Sequence, residues 1–280
     1  MSLKYITKAN KELFKPIIQE LSEQSSKKYD KENKTFEQLN QWKDDDLLST
    51  VASRYSKSNK NTTYITKDEL VNLMDWKLSI GTFRPSLPKL IRSNSEDTVV
   101  QVTKAGYKLM LEYFKKLPSN FWSSASEENL SDYKKLIRQA MKEFCKLKGV
   151  GPATSSLIMN CLYKVEPKFT PPFFSDESFM YYVLDPQKPG EKIKYSVKEY
   201  VEELLPVYFK LLKSYPEETF TELERGGWAL KYFYLYHEDK LINVESPFED
   251  DQWKRFDDEN ETESVEPPKK KKKKEEERST

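Results

Sequence analysis

Hydrophobic residues recur at intervals of three and four through the first half of the chain, with polar residues between them. This spacing predicts amphipathic helices, because positions three and four apart share one face of a helix. A capping box, Thr66-Lys-Asp-Glu69, marks the start of one of them. The predicted helices of this half cover residues 1–24, 36–51, 66–79, 86–94 and 103–117.

The second half continues the helical pattern on either side of one extended stretch. Residues 129–147 place apolar side chains on one face and charged side chains on the other. The prolines of residues 164–175 (KVEPKFTPPFFS) predict an extended conformation there, because a residue before proline avoids the helical region. The other helices of this half are predicted to begin at Pro152 and at Ser175 and to cover residues 196–214 and 217–240.

The predicted fold is therefore an all-α, multi-helix body over residues 1–248. Only seven of the 280 residues are glycine, and valine-rich alternating runs are few, which disfavours a sandwich, a barrel or a doubly wound sheet. From residue 249 the hydrophobic pattern fades into an acidic and then lysine-rich stretch. Residues 249–280 are predicted to be a disordered tail.

The composition excludes several classes of protein. Two cysteines, Cys145 and Cys161, and one histidine cannot supply a four-ligand zinc site or a cysteine-held iron–sulfur cluster, so no metal site is predicted. No apolar run approaches the roughly 18 residues of a membrane span, and no membrane partner is expected. Residues 1–244 carry a net charge of +5 and residues 245–280 a net charge of −4, which permits nucleic-acid binding without requiring it.

The clearest motif is a helix-hairpin-helix over residues 136–162. Its turn reads Leu147-Lys-Gly-Val-Gly-Pro152 and contains two of the seven glycines. Glycine supplies the backbone conformations of a tight turn and lets a nucleic-acid backbone come close. The second helix then presents free N–H groups at its start, where a phosphate can bind. Lys146 and Lys148 are candidates for further phosphate contacts.

This stretch resembles the helix-hairpin-helix of the DNA glycosylase superfamily, whose motif has the form L-x-G-V/I-G-x-x-T/A followed by an apolar helix. The matching residues are Leu147, Gly149, Val150, Gly151 and Thr154. The resemblance covers residues 136–184 and implies a glycosylase-type helical body that binds DNA. It also implies a monovalent cation bound at the hairpin; no other cofactor is expected.

The same resemblance points to Asp176 as the catalytic residue. The family has a proline or valine followed by an aspartate some twenty residues after the hairpin, and Pro171 to Asp176 supply this pattern after a gap several residues longer. Members with lyase activity carry a lysine where this chain has Ala153. The resemblance therefore implies a monofunctional N-glycosylase without lyase activity. The alternative to a catalytic role is that Ser175-Asp176 only caps the start of a helix.

Base excision also requires a pocket for a flipped base, in which a carboxylate stabilises the oxocarbenium-like transition state. The candidate pocket residues are Trp76, Arg84, Phe173 and Phe174. The alternative role is that of a core residue for Trp76 and of a turn residue for Arg84. The segment from Leu73 to Leu78 also resembles a group of uncharacterised fungal proteins, which implies no known activity.

The tail contains six consecutive lysines, Lys269–Lys274, after two prolines. This pattern is typical of a nuclear import signal, so a nuclear location and an import receptor as a partner are expected. The alternative is a solvated tail that binds polyanions loosely.

Three functions remain open on the sequence. They are a nuclear DNA-binding protein, a monofunctional base-excision enzyme that uses Asp176, and a catalytically inactive protein–protein interaction module. An enzyme requires Asp176 at the floor of a cleft beside the hairpin. An interaction module would instead show a covered hairpin and an exposed apolar patch elsewhere.

Overall fold

Helices supply the regular structure of the residues that the computed structural model describes, namely 2–58, 62–82 and 84–254. These residues contain no β-strand, and a single isolated bridge joins Tyr29 to Lys34. The all-α prediction is confirmed for this part of the chain. No helix within it is both long and apolar enough to cross a membrane.

The helices are numbered in chain order. The first half contains α1 (3–23), α2 (36–57), α3 (Lys67–Ile80), α4 (Leu87–Arg92), α5 (Glu96–Phe114) and α6 (Phe121–Ser124). The second half contains α7 (Glu127–Phe144), α8 (Pro152–Asn160), α9 (176–187), α10 (199–214) and α11 (Phe220–Tyr236). Wide π-helical turns interrupt α1, α2, α9 and α10 at Ala9–Leu13, Trp42–Leu47, Met180–Leu184 and Glu199–Leu204.

Side-chain caps fix several of the helix starts. The predicted capping box of α3 is present: the Thr66 hydroxyl accepts from the Glu69 N–H at 3.3 Å, and the Glu69 carboxylate accepts from the Thr66 N–H at 2.7 Å. Helix α5 begins seven residues before its predicted start, because Ser95 caps it by accepting from the Thr98 N–H. The predicted start at Thr103 missed this cap.

A single hydrophobic core extends from Ile6 to Trp253. Helix α8 lies at its centre, because every residue from Ala153 to Asn160 is buried. The Tyr107 hydroxyl from α5 donates to the Ile158 carbonyl at 2.9 Å, which ties α5 to this central helix. The second helix of the predicted hairpin is therefore the most enclosed helix of the body and not a surface element.

The predicted extended stretch ends in residues 168–175, which we call the anchored segment. Its backbone lies largely in the core without a helix or sheet, yet buried N–H and C=O groups need partners. Side chains from four helices supply the donors for its carbonyls. The pairs are Lys168 with Trp122 Nε1 (2.8 Å), Phe169 with Tyr133 Oη (2.8 Å), Pro171 with Asn160 Nδ2 (3.1 Å) and Pro172 with Tyr200 Oη (2.6 Å).

Ordered contacts continue for six residues beyond the predicted boundary between body and tail at residue 248. Asp251–Lys254 form a short 3₁₀ turn, and the Trp253 side chain is 6% exposed. Its ring stacks on Phe248 at 5.5 Å and contacts Phe233 at 5.3 Å. Because the residues next to Trp253 in the sequence are polar or charged, the hydrophobicity pattern does not indicate that this tryptophan is buried. The remaining tail, residues 255–280, lies outside the described residues.

Trp253→Ala should lower the free energy of unfolding by about 3 kcal/mol, because it removes a large buried side chain. Urea unfolding of the full chain followed by circular dichroism measures this change. Ile242→Ala is the matched control, since Ile242 is 74% exposed and should be nearly neutral. Equal stabilities of Trp253→Ala and the wild type would contradict the assignment of residues 249–254 to the body.

Candidate nucleic-acid interface and cleft

The hairpin has the geometry that its sequence predicts. Helix α7 ends at Phe144 and α8 begins at Pro152. Gly149 has a φ of 80°, in the left-handed region that favours glycine. Val150 is 7% exposed and packs into the core between the two helices. The proline stands at the first helical position, where its missing N–H costs nothing.

One side of the turn is covered by the segment around α4. The Asn94 side chain donates to the Lys148 carbonyl at 3.0 Å and accepts from the Lys148 N–H at 2.9 Å. A Cβ atom on Gly149 would lie 3.0 Å from the Leu90 Cβ. The expectation that both glycines admit a ligand backbone is therefore corrected. Gly149 makes room for α4, whereas Gly151 is exposed and a Cβ there would meet no atom within 4 Å.

The open side of the hairpin presents the start of α8. The N–H groups of Gly151, Ala153 and Thr154 donate to no other described residue, as expected at a helix start. The Thr154 side chain is only 4% exposed, so Thr154 can offer a ligand little beyond its backbone. Lys148 is exposed and forms no ion pair within the described residues, whereas Lys146 is paired with Glu143 at 2.5 Å. Of the two lysines, Lys148 is the freer to meet a phosphate.

A cleft of about 230 Å³ opens beside this helix start. One wall is formed by Gly149 and by the residues from Gly151 to Thr154, and the other by the end of α3 together with Arg84. The start of α9 and the pair Lys194–Tyr195 complete the lining. The cleft therefore brings the hairpin, Asp176 and Arg84 together. Asp176 beside the hairpin is the arrangement that an enzyme requires, whereas a DNA binder requires only the hairpin and a basic surface.

Asp176 is half-buried and is the first residue of α9. The Tyr195 hydroxyl donates to its Oδ2 at 2.7 Å. Ser175 precedes the helix, but its hydroxyl donates to the Glu224 carboxylate at 2.5 Å and caps nothing. The interpretation of Ser175-Asp176 as a helix cap is therefore not supported by the hydrogen bonds. Asp176 remains available to the cleft, held by one hydrogen bond.

Tyr195 is held in an unusual backbone conformation. Its φ of 54° is rare for a bulky residue and is typically tolerated where surrounding contacts enforce it. Glu199 supplies such contacts by accepting from the N–H groups of Lys194 at 2.9 Å and Ser196 at 2.8 Å. The Arg84 guanidinium lies 4.9 Å from the centre of the Tyr195 ring. These contacts aim the tyrosine hydroxyl at Asp176.

Three cationic side chains, Lys77, Arg84 and Lys194, line the cleft. Lys77 is half-buried and forms no ion pair within the described residues. Burial lowers the pKa of Lys77, the charge of Asp176 opposes this, and Arg84 adds to the lowering. Sequence reasoning missed Lys77, Lys194 and Tyr195 as site residues. Their only signal was a position close to Arg84 or in the loop before α10.

The four predicted pocket residues divide into two pairs. Arg84 and Phe173 line the cleft. Trp76 lies behind it in the core, where its Nε1 donates to the Asn40 side chain at 3.0 Å and the Lys43 ammonium lies 4.3 Å from its ring centre. Phe174 is 1% exposed and packs against Tyr200 and Phe179. Successive side chains of an extended segment point to opposite sides, so Phe173 and Phe174 do not share a pocket.

Two buried carboxyl groups lie next to the cleft. Burial raises the pKa of Glu177 to about 8, and the charge of Asp176 contributes to this increase. Burial also raises the pKa of Glu224 to about 7, although the hydrogen bond from Ser175 and the charges of Arg225 and Lys43 oppose it. Near neutral pH, Glu177 is therefore largely protonated, and Asp176 supplies most of the negative charge of the cleft lining.

The monovalent cation that the resemblance implies would have to bind backbone carbonyls of the hairpin. Those of Gly149 and Val150 accept no hydrogen bond from the described residues, whereas three others do. The carbonyl of Leu147 accepts from the Val150 N–H, that of Lys148 from Asn94, and that of Gly151 from the Ser155 N–H. The described residues also contain no group of three or more His, Cys, Asp or Glu side chains placed to hold a metal ion.

No protein-family model, curated protein or solved structure matches this chain. The glycosylase resemblance therefore rests on the motif of residues 136–184. Any functional argument depends on the hairpin and the cleft themselves.

Glu177→Gln should stabilise the protein above neutral pH. A pKa raised from 4.5 to about 8 means that folding favours the protonated acid, so this stability is complete below about pH 4.5 and is lost as the pH rises through 8. The neutral amide cannot ionise and should flatten this decline, leaving the smaller contribution of Glu224. Urea unfolding between pH 5 and about 9 measures the effect.

Exposed Glu245 provides the control, since Glu245→Gln should leave the pH dependence unchanged. A steeper loss of stability with pH in Glu177→Gln than in the wild type would show that Glu177 is not a buried neutral acid.

Proposed function

We propose that this protein binds DNA, with the phosphate backbone at the start of α8 and an unpaired nucleotide in the adjoining cleft. One observation carries the proposal: the free N–H groups of the hairpin and three cationic side chains border the same cleft. A helix start with unpaired N–H groups favours an anion, and nearby cations add to this preference. Lys148 on the rim extends the cationic surface.

Access to the hairpin supports a ligand over a packing role. Only the side facing Asn94 and α4 is covered, whereas Gly151 faces open space. An interaction module that had lost the binding site would be expected to bury this face. The exposed large apolar side chains of the described residues are instead Leu90, Leu109, Tyr215, Leu235 and Ile242, which belong to different segments.

A second candidate function is base excision by Asp176, as the glycosylase resemblance implies. The observation in its favour is that Asp176 lines the cleft with a carboxylate held by Tyr195. In such a reaction the carboxylate stabilises positive charge at the sugar and orients a water molecule. The 230 Å³ cleft, with Phe173 in its wall, offers an aromatic surface beside a flipped base.

The lysine run Lys269–Lys274 lies outside the described residues. Its proposed role is nuclear import through an import receptor, which would bring the protein to DNA. Fluorescence microscopy of the full chain and of a variant with these six lysines replaced by serine tests this location.

Gly151→Asp should weaken DNA binding by about tenfold or more, which corresponds to ~1.4 kcal/mol. The new carboxylate would repel a phosphate at the start of α8, while aspartate is a favourable residue at this helix-cap position and the backbone there is extended. Gly151→Asn is the matched control for size, and it should weaken binding less. Fluorescence anisotropy with an undamaged duplex and a duplex carrying an abasic-site analogue, at several salt concentrations, measures both.

The wild-type affinity should fall with salt, because binding releases counterions from the DNA. If the folded wild type binds neither duplex at low salt, the DNA proposal is wrong. Equal affinities of Gly151→Asp and the wild type would place the contact elsewhere on the molecule.

Asp176→Asn should abolish base release from any modified duplex that the wild type processes, while keeping or increasing its affinity for DNA. The reason is that the amide cannot stabilise positive charge at the sugar and no longer repels phosphate. Chromatography of free bases from a panel of duplexes, each with one modified base, provides the measurement. Base release by Asp176→Asn at the wild-type rate would remove Asp176 from the mechanism.

A further inference from the structure

Lys77 is the amine that lies deepest in the cleft wall opposite the hairpin. It comes from α3, and its neighbours along the cleft include Ile80 and Arg84. Arg84 and Lys194, the other two cations of the lining, are exposed, whereas Lys77 is half-buried. Within the described residues no carboxylate forms an ion pair with Lys77, although Asp176 lines the same cleft. A lysine in this setting is not held by a structural contact.

The surroundings of Lys77 lower its pKa below the ordinary value, which increases the share of the neutral amine. Only a neutral amine has the lone pair that attacks a carbonyl group, and a lysine becomes nucleophilic when it is desolvated or stands beside another cation. Lys77 meets both conditions: burial lowers its pKa and Arg84 adds to the lowering, although the charge of Asp176, a larger influence than Arg84, opposes it. Arginine stays charged at all relevant pH values and therefore keeps this effect constant.

The opposite groups of the cleft complement an amine nucleophile. Asp176 is a carboxylate that can accept and return a proton, and the Tyr195 hydroxyl holds its Oδ2 in place. Ala153, on the hairpin wall, offers no amine. The only lysines that line the cleft are thus Lys77 and the exposed Lys194, among the residues that the structure describes.

We propose that Lys77 is a nucleophile that forms an imine with an aldehyde ligand in the cleft. This inference rests on the proposed DNA binding, because the aldehyde that DNA presents is the C1′ carbonyl of a ring-opened abasic sugar. It differs from the expectation drawn from Ala153, since the amine would come from α3 and not from the hairpin.

Groups of the cleft and the ligand account for every atom and proton of imine formation. The Lys77 Nζ lone pair forms a bond to C1′, and the carbonyl oxygen takes up protons and leaves as one water molecule, which gives the imine. Asp176 passes protons between the amine and the departing oxygen. Addition of water reverses the step and returns both the amine and the aldehyde. No oxidant, reductant or metal ion is needed.

A protonated imine also weakens the adjacent C2′–H bond. Asp176 accepts that proton, the electron pair of the C2′–H bond forms a C2′=C3′ double bond, and the C3′–O bond breaks with the phosphate as the leaving group. Strand cleavage at an abasic site is therefore the expected consequence of the imine. Water then releases Lys77 from the sugar fragment.

Borohydride trapping tests the proposal directly. The full chain is incubated with a duplex that contains one abasic site, and borohydride reduces any imine to a stable secondary amine that links protein and DNA. The wild type should give a covalent adduct that mass spectrometry maps to Lys77. A duplex with a tetrahydrofuran analogue, which has no aldehyde, should give none.

Variants of Lys77 separate nucleophilicity from charge. Lys77→Arg keeps the positive charge but cannot form an imine, so the adduct should be lost while affinity for the tetrahydrofuran duplex persists. Lys77→Met provides a second variant if arginine disturbs folding, which circular dichroism reports. Lys104→Arg, at an exposed lysine of α5 outside the cleft, should keep the adduct.

A second measurement does not depend on DNA. With a small aldehyde and cyanoborohydride near neutral pH, Lys77 should be alkylated faster than exposed Lys104, because a larger fraction of it is neutral. If Lys77 is labelled preferentially but the protein does not bind DNA, the proposed function is refuted, whereas the inference that Lys77 is a reactive amine stands. The nucleophile proposal would be overturned if the protein binds DNA but forms no adduct, or if the adduct maps to Lys194 or Lys148. It would also be overturned if the small aldehyde shows no preference for Lys77.

Discussion

The position of the candidate site depends on how the anchored segment, residues 168–175, satisfies its buried backbone. A stretch with two adjacent prolines and no regular structure is costly in a core unless its polar groups find partners. Tryptophan, tyrosine and asparagine side chains of four helices donate to its carbonyls, and the Ser156 hydroxyl accepts from the Phe174 N–H at 2.8 Å. These bonds fix where the segment ends, and Asp176 follows immediately.

Helix α8 couples this segment to the hairpin. Its first turn presents the free N–H groups, while Ser156 and Asn160 in the same helix bind the anchored segment. The helix is nine residues long and buried from Ala153 onwards, so it moves as part of the core. The start of α8 and the carboxylate of Asp176 are therefore tied to each other through α8 and the anchored segment, as the proposed site on a nucleic-acid backbone would require.

Sequence patterns predicted most of the helices and the hairpin turn between α7 and α8. They succeeded there because glycine conformation, proline placement and helical periodicity are local. They failed where a role depends on distant partners. Trp76 and Phe173 are both aromatic residues and were both predicted to line the pocket, but only Phe173 reaches the cleft. Lys77 and Tyr195 lie far apart along the chain, and only the fold makes them neighbours of Asp176.

The charge of the cleft follows from burial more than from composition. Glu177 and Asp176 are adjacent in sequence, and two ionised carboxylates there would offset much of the positive charge of Lys77, Arg84 and Lys194. Burial keeps Glu177 largely protonated near neutral pH, because its pKa is raised to about 8. Asp176 then faces the three cations as the main anion. The cleft thereby combines a net positive charge with one carboxylate, which is the combination that the proposed action on a phosphate-linked sugar would need.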